Sequence, residues 1–235
     1  MRPIINAISY LADYSLSATG RRVRRENLTY LNVLKLKRLE RALAELAGRS
    51  VPGEYLEFGV ALGGSAIILA KDALNNDRAF HGFDVFSTIP PPASKNDDDS
   101  SRERYQDIAS GRAKGINGDR YYGYEDDLLQ KVKSSMARFG VPVDGKRIQL
   151  HQGLFEDTWP KVTIDKIAFA HIDCDWYDPV AYCLNGIANK MSSGGVVLID
   201  DYNDYKGARC AVDEFRSRRA DFEFKPGINP ILRRL

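Results

Sequence analysis

The sequence of 235 residues contains few cysteines, no long apolar run and little net charge. Its three cysteines, Cys174, Cys183 and Cys210, are odd in number and lack C-x-x-C spacing, so we expect reduced thiols and a cytoplasmic protein. No apolar stretch approaches the roughly 18 residues of a membrane span, and the N-terminus lacks the continuous hydrophobic region of a secretion signal. A net charge of +2 gives no reason to expect a nucleic-acid or membrane partner.

The first 49 residues carry helical patterns only. Leucines recur at helical spacing over residues 26–47, and this stripe stops at Gly48. Residues 4–16 are weakly amphipathic, as in a terminal helix, and such an arm can pack on a neighbouring subunit of a homo-oligomer. The basic run at residues 21–25 is interpreted as the solvated start of a helix rather than a phosphate site. We therefore expect a helical cap over residues 1–49.

Strand and helix patterns alternate from residue 50 onwards. The predicted strands and helices lie at 54–60, 64–74, 80–84, 126–139, 147–151, 166–172, 179–191, 195–199 and 207–219. Residues 222–225 and 231–235 can supply one or two closing strands. This alternation predicts a doubly wound α/β fold over residues 50–235, with a mostly parallel, Rossmann-like sheet of seven strands.

One segment, residues 87–123, interrupts the alternation with three consecutive prolines, three consecutive aspartates and several glycines. A structureless loop of this length inside a domain is usually either functional or disordered. Because the segment leaves the carboxyl end of the second predicted strand, where ligands bind in such sheets, we interpret it as a substrate lid. The alternative is a disordered insertion.

Carboxylates follow two of the predicted strands. Asp173 and Asp175 come after the fourth strand, and Asp200 and Asp201 follow the fifth. Adjacent strands lie roughly 4.8 Å apart, so Asp173, Asp200 and Asp201 would surround one point if the strands are neighbours. Three carboxylates that close require shared protons or a cation, and oxygen ligands favour a hard divalent ion. The alternative is a set of solvated loop acids.

A glycine-rich turn follows the first predicted strand. It runs from Glu57 and Phe58 through Gly59 and Gly63 to Ser65, and its glycines allow a ligand to approach the backbone and the next helix N-terminus. It lacks the G-x-G-x-x-G pattern of dinucleotide sites. Glu57 would repel a pyrophosphate but suits a positively charged group such as the ammonium of S-adenosylmethionine.

Two further positions suit an adenosine-containing ligand. Asp84 ends the second predicted strand, where an acid can bind the ribose hydroxyls; a turn or capping role is the alternative. Gly153 and Phe155 follow the third strand, and Phe155 can lie against an adenine ring while Glu156 reaches its amino group. Core packing is the other interpretation of Phe155.

Five ordered motifs resemble the macrocin O-methyltransferase family. They are EFGVALGG at 57–64, DVFSTIP at 84–90, GLFEDTWP at 153–160, IDCDWY at 172–177 and DDY at 200–202, and AVDEFR at 211–216 adds to them. The resemblance extends from about residue 50 to 217. Its members are class I, S-adenosylmethionine-dependent enzymes that methylate sugar hydroxyls on natural products. Lid residues 91–123 and the chain after residue 216 match no part of the family pattern.

The resemblance implies S-adenosylmethionine and Mg²⁺ as cofactors and a small-molecule acceptor, a sugar hydroxyl, as partner. The expected methyl-donor contacts are Glu57, Phe58, Gly59, Gly63, Ser65, Asp84, Gly153, Phe155 and Asp173, and the expected magnesium ligands are Asp173, Asp200 and Asp201. The metal would stabilise the acceptor alkoxide. Asp173 and Asp175 are the catalytic candidates, with Asp175 as the base, as a further ligand or as an acid that supports the ligands without binding the ion.

Other side chains and other functions remain open at this point. His171 is interpreted as a core residue and His151 as a weaker candidate, while an aromatic set can stack on an acceptor ring or merely cover the core: Trp176, Tyr177, Tyr121, Tyr122 and Tyr124. A catechol or phenol O-methyltransferase of the same fold is the nearest alternative function. A nicotinamide-dependent oxidoreductase or a non-catalytic binding protein represents another class.

Overall fold

The computed structural model describes residues 15–235. Its longer elements are α1 (Ala18–Arg25), α2 (Val33–Ala47), β1 (Glu54–Phe58), α3 (Gly64–Asn75), β2 (Phe80–Asp84), α4 (Asp99–Ala109), α5 (Leu128–Arg138), β3 (Ile148–Gln152), α6 (Phe155–Thr158), β4 (Ile167–Ile172), α7 (Tyr177–Ile187), β5 (Met191–Ile199), α8 (Lys206–Arg218), β6 (Phe222–Lys225) and β7 (Ile231–Arg234). Short 3-10 turns connect several of them. The predicted strand–helix alternation is confirmed, with β5 starting earlier than expected.

The seven strands form one sheet in the order β3-β2-β1-β4-β5-β7-β6. Strands β1 to β5 pair in parallel, whereas β7 is antiparallel to both β5 and β6. The predicted doubly wound, mostly parallel sheet is therefore confirmed. Register pairs Phe58 with Ile172 and Ile172 with Ile199, so the residues that follow β1, β4 and β5 meet at one edge.

Both faces of the sheet are covered by helices. The core on one face includes Leu39 and Leu43 of α2 and Ile67 of α3, and the core on the other includes Leu184 of α7 and Phe215 of α8. Near-continuous apolar strands are typical of parallel sheets buried on both faces. Helices α1 and α2 thus share a core with the sheet, and the division at residue 49 stays a prediction.

The N-terminal region differs in detail from the prediction. Ser17 caps α1 by accepting a hydrogen bond from the Gly20 N–H, so the basic run at 21–25 ends a helix rather than starting one, where it suits the helix dipole. Leu28 and Leu31 precede α2, whose cap is Asn32. Of residues 4–16, only 15 and 16 are described, so the predicted terminal helix lies outside the described residues.

The lid at residues 87–123 is not structureless, contrary to the prediction. It contains α4, whose N-terminus is capped by Asp98 through a hydrogen bond from the Ser101 N–H. Ile108, Ala113 and Tyr121 form a small apolar cluster of their own beneath it. Nowhere in residues 15–235 does a helix combine the length and hydropathy needed to cross a membrane.

Candidate active site

A cavity of about 610 Å³ opens at the sheet edge where β1, β2, β4 and β5 end. Its wall combines the turns after these strands with lid residues such as Ile89, Pro90 and Ile108. This is the predicted position of a ligand in an open α/β sheet, and the volume is in the usual range for a small-molecule site.

Asp173, Asp200 and Asp201 come together in the cavity wall. The Asp173 N–H donates to the Phe58 carbonyl and the Asp200 N–H to the Ile172 carbonyl, both at 2.9 Å, so strand pairing continues to the acids. One carboxylate oxygen from each lies within 4.8 Å of those of the other two. Burial, and then the charges of neighbouring acids, raises the pKa of Asp173 and Asp201 well above the usual range.

Lys35 of α2 also lines the cavity and contacts this cluster. Its Nζ lies 2.6 Å from Asp200 Oδ2 and 2.6 Å from Asp204 Oδ2. Asp200 Oδ1, in contrast, is buried and has no hydrogen-bond partner among the described residues. A buried oxygen of this kind normally has a ligand or water as partner.

The carboxylate cluster has the properties of a site for a divalent cation. Three oxygen-donor side chains within reach of one point fit a hard ion, which would also stabilise the ionised carboxylates against their mutual repulsion. The unpartnered Asp200 Oδ1 is oriented by the Lys35 contact at Oδ2, as ligands commonly are by their own partners. The donor set therefore fits Mg²⁺, although the assignment of these ligands stays a prediction.

Asp175 also lines the cavity, two residues past Asp173. It is a non-glycine residue in the left-handed region, with φ of 60°, a conformation that aspartate adopts more readily than most residues. Its N–H donates to Asp201 Oδ2 at 3.0 Å. Burial, and next the charge of Asp200, raises the pKa of the Asp175 carboxyl to about 6, while Arg104 and Lys35 oppose the rise.

The glycine turn after β1 has the predicted close approach. Gly59 has φ of 94°, and a Cβ built there would lie 1.7 Å from the Asp173 carbonyl oxygen. Gly63 caps α3 with φ of 87°. Both positions require glycine. Gly59 and Ala61 line the cavity, whereas Gly63, Phe58 and Ser65 are not part of its wall.

Asp84 supports this turn from β2. Its Oδ2 accepts the Val60 N–H at 2.7 Å and the Ala61 N–H at 2.9 Å, and its Oδ1 accepts the Phe86 N–H at 2.6 Å. Burial raises the pKa of Asp84, and the three hydrogen bonds oppose this. Asp84 thus has the turn role that was the alternative interpretation, and because it also lines the cavity the ribose role stays a prediction.

Glu57 does not reach the cavity. Its side chain is fully buried, and His171 Nδ1 lies 2.9 Å from its Oε1. His171 is equally buried, which agrees with its interpretation as a core residue. Burial raises the pKa of Glu57, and the contact with His171 opposes the rise. Glu57 therefore lies beneath the glycine turn, and its contact with the methyl donor stays a prediction.

Phe155 and Glu156 line the cavity after β3. The Phe155 ring packs edge-on against Phe58, with centroids 5.4 Å apart, and so contributes both to the core and to the wall. Gly153, with φ of 140°, turns the chain between β3 and this segment without lining the cavity. Both proposed adenine contacts are compatible with these positions.

The aromatic candidates divide into two groups. Trp176, Tyr121 and Tyr122 line the cavity, whereas the Tyr177 hydroxyl donates to Glu214 and the Tyr124 hydroxyl donates to the Ile108 carbonyl. The sequence reasoning missed several wall residues, among them Tyr30, Lys35, Arg104, Asp204 and Tyr205. They lie on helices or loops without a motif, so no local pattern in the sequence marked them.

The sheet order, the glycine turn after β1 and the ligand cavity at the strand ends define a class I methyltransferase. The model of the macrocin-O-methyltransferase (TylF) family matches residues 9–223, and the chain belongs to that family. The match begins well before the first motif, so it includes part of the N-terminal region. The chain is accordingly an O-methyltransferase whose family uses S-adenosylmethionine, and a nicotinamide-dependent oxidoreductase is excluded.

Individual relatives are more distant. Demethyldecarbamoylnovobiocin O-methyltransferase of Streptomyces niveus is 27% identical over 199 residues, covering 81% of this chain and 68% of the relative. Mycinamicin III 3''-O-methyltransferase of Micromonospora griseorubida is 28% identical over 197 residues, covering 81% and 70%. The solved structure of the O-methyltransferase NovP has a TM-score of 0.73 at 21% identity, covering 97% of this chain and 98% of NovP; this likeness concerns the fold.

Proposed function

We propose that this enzyme transfers the methyl group of S-adenosylmethionine, with the help of Mg²⁺, to a hydroxyl of a sugar or of a glycosylated small molecule. The observation that carries the proposal is the carboxylate cluster of Asp173, Asp200 and Asp201, which lies directly beside the Gly59 turn of the cavity. A methyl donor at the turn and an acceptor oxygen at the cluster would be neighbours there.

Two relatives support the choice of acceptor. One is named for demethyldecarbamoylnovobiocin and the other for the 3''-oxygen of mycinamicin III. The aromatic wall formed by Tyr121, Tyr122 and Trp176 offers flat apolar surface to a ring. The Trp176 Nε1–H donates to the Pro90 carbonyl at 3.0 Å, so this ring is held between the lid and the end of β4.

The mechanism follows from the side chains in the wall. When bound, S-adenosylmethionine supplies an electrophilic methyl group, and Mg²⁺ stabilises negative charge on the acceptor oxygen. Asp173, Asp200 and Asp201 would hold the ion. Asp175, fixed by its N–H bond to Asp201, would accept the proton of the acceptor hydroxyl. Lid residues exclude water from the cavity and hold the acceptor in line with the methyl group.

Three residues of the cavity wall would bind the parts of the methyl donor. Gly59 and the turn it forms would contact the methionyl part, Asp84 the ribose and Phe155 the adenine. Cys174, Cys183 and Cys210 are free thiols, which supports the cytoplasm as the location. A homo-oligomer built through the N-terminal region remains part of the proposal.

The test is calorimetric titration with S-adenosylhomocysteine and with Mg²⁺ on the wild type, Asp200→Asn and Asp204→Asn. Asp204 contacts Lys35 but is outside the ligand cluster, so it controls for charge. We expect micromolar binding of S-adenosylhomocysteine in all three proteins and loss of the Mg²⁺ heat in Asp200→Asn only. Absence of nucleoside binding in the wild type would refute the proposal.

The acceptor is tested separately by methyl transfer from labelled S-adenosylmethionine to glycosides and to catechols. We expect incorporation into the glycosides and a fall of at least about 100-fold in Asp175→Asn, since general-base catalysis contributes on the order of 10²–10⁴. Labelling of catechols alone would favour the alternative acceptor class.

A further inference from the structure

The cavity has an unusual balance of charge. Among the residues that the structure describes, eight carboxylate side chains and two cationic ones line it. One of the two cations, Lys35, is fully engaged with Asp200 and Asp204. The other is Arg104, which projects from the lid helix α4.

Arg104 has an aromatic contact but no acidic partner in the described part of the chain. Its guanidinium carbon lies 5.6 Å from the centroid of the Tyr121 ring, a cation–π contact that fixes the side chain without using its N–H groups. Within residues 15–235, Arg104 forms no hydrogen bond and no ion pair. An arginine in an acidic cavity would normally pair with a carboxylate, so N–H groups that are free within residues 15–235 suit a bound anionic ligand as their partner.

We propose that Arg104 binds an anionic group of the acceptor, a phosphate or a carboxylate attached to the sugar that is methylated. The proposal rests on the proposed function and narrows its substrate class. A guanidinium matches such groups with two parallel N–H bonds, which gives both affinity and orientation. Since Arg104 is on the lid, binding of the anion would also hold α4 over the occupied cavity.

The position of Arg104 favours the acceptor over the carboxylate of the methyl donor. Arg104 contacts the Tyr121 ring of the cavity wall, and its charge acts on Asp175 and Tyr205, which follow β4 and β5. The proposed methyl-donor contacts Gly59 and Asp84 follow β1 and β2 instead. The anion of the acceptor would therefore be bound between the lid and the end of β4, away from the glycine turn.

The experiment compares two probes that differ only in an anion, glucose 1-phosphate and methyl glucoside. Calorimetry measures the affinity of each for the enzyme saturated with S-adenosylhomocysteine and Mg²⁺. We expect the wild type to prefer the phosphate at least about tenfold, and Arg104→Gln to lose that preference, because a hydrogen-bonded charge pair contributes on the order of one to two powers of ten. Arg104→Lys should keep part of it.

Arg112→Gln is the matched control, because Arg112 is a lid arginine that pairs with Asp107 outside the cavity; it should keep the wild-type preference. A preference that survives in Arg104→Gln would overturn the proposal and place the phosphate on the ion. A wild type that binds both probes equally would also overturn the proposal. A weaker affinity for S-adenosylhomocysteine in Arg104→Gln alone would assign Arg104 to the methyl donor, whereas no nucleoside binding in the wild type refutes the proposed function itself.

Discussion

Lys35 and Asp200 form the most consequential pair of single residues in the cavity wall. Burial disfavours the charge of Lys35, but the attraction of Asp200 outweighs it, and the pKa of Lys35 is raised above its ordinary value. The ammonium is therefore charged, and it neutralises one of the buried acids before any ion binds. Removing one member of such a pair leaves the other as an uncompensated buried charge.

For Lys35→Met we expect a loss of about 2–3 kcal/mol in the free energy of unfolding in EDTA, from the buried Asp200 carboxylate. Saturating Mg²⁺ should reduce the loss to about 1 kcal/mol or less, because the ion supplies the missing positive charge and stabilises the folded state by binding it. Urea unfolding under both conditions measures this. Lys37→Met, on the same helix, is the control, and an equal loss with and without Mg²⁺ would contradict the expectation.

At this scale the sequence identified the acids but not their partner. Asp173, Asp200 and Asp201 were found because residues that follow parallel strands must meet at one edge of the sheet. Lys35 is separated from Asp200 by 165 residues and lies among the leucines of α2, where nothing local shows which helix face it occupies. For Asp84, the sequence favoured a ribose contact and left the turn role as the alternative. The turn role was hard to predict because the partners of Asp84 are backbone N–H groups.

At the scale of elements, one side chain of the lid, that of Asp97, connects the lid to α7 by a hydrogen bond. Asp97 is buried, and its Oδ1 accepts the Tyr177 N–H at 2.9 Å, at the first turn of α7. A Cβ at Gly207 of α8 would lie 1.9 Å from the same oxygen. The hydrogen bond between Asp97 and Tyr177 therefore requires a glycine at this position of a third element. The lid is thereby attached to the two helices that follow the acid-bearing strands.

For Asp97→Ala we expect the lid to open more often, because a helix-capping hydrogen bond contributes about 1 kcal/mol and local openings use the weakest contacts. Hydrogen exchange should quicken about fivefold over residues 87–123 while the amides of β1 and β4 keep their protection. Asp99→Ala, a substitution of an exposed acid in α4, is the comparison. Uniform acceleration through the sheet would indicate general destabilisation instead.

Strand β4 and the second half of β5 were predictable because both of their faces are buried, and this produces nearly continuous apolar runs. Helix α4 was not, because among its residues only Ser101 and Ile108 are buried; such a helix shows no apolar stripe. Its cap Asp98 lies in a run of three aspartates, and that run was interpreted as part of a loop.

At the scale of the whole molecule, the position of β7 between β5 and β6 follows from long-range pairing. Antiparallel contacts of Leu232 with Val197 and with Phe224 determine it, and each strand alone carries only a short apolar pattern. The helices before residue 49 are likewise part of the common core. The fold class was therefore predictable from the sequence. The order of the strands in the sheet, and the core that the N-terminal helices share with it, became known only from the structure.

The stability of the whole molecule should depend on pH through a histidine pair on β2 and β3. His81 Nδ1 lies 3.0 Å from His151 Nε2, and the rings stack with centroids 5.3 Å apart. Burial, and next the charge of His81, lowers the pKa of His151 to about 4. In the unfolded chain the pKa is about 6.5, so between these values the unfolded state binds more protons, and the free energy of unfolding falls as the pH falls.

We therefore expect the contribution of His151 to be complete above about pH 6.5 and to be lost progressively toward pH 4. Because the side chain is partly exposed, we expect a loss of about 1 kcal/mol between pH 7 and pH 5 rather than the full linkage value. Urea unfolding of the wild type and of His151→Gln at both pH values measures it.

The acids with raised pKa values are common to both proteins, so their effect cancels in the difference. His151→Gln should lose about 1 kcal/mol less than the wild type; an identical pH dependence in the two proteins would contradict the lowered pKa of His151.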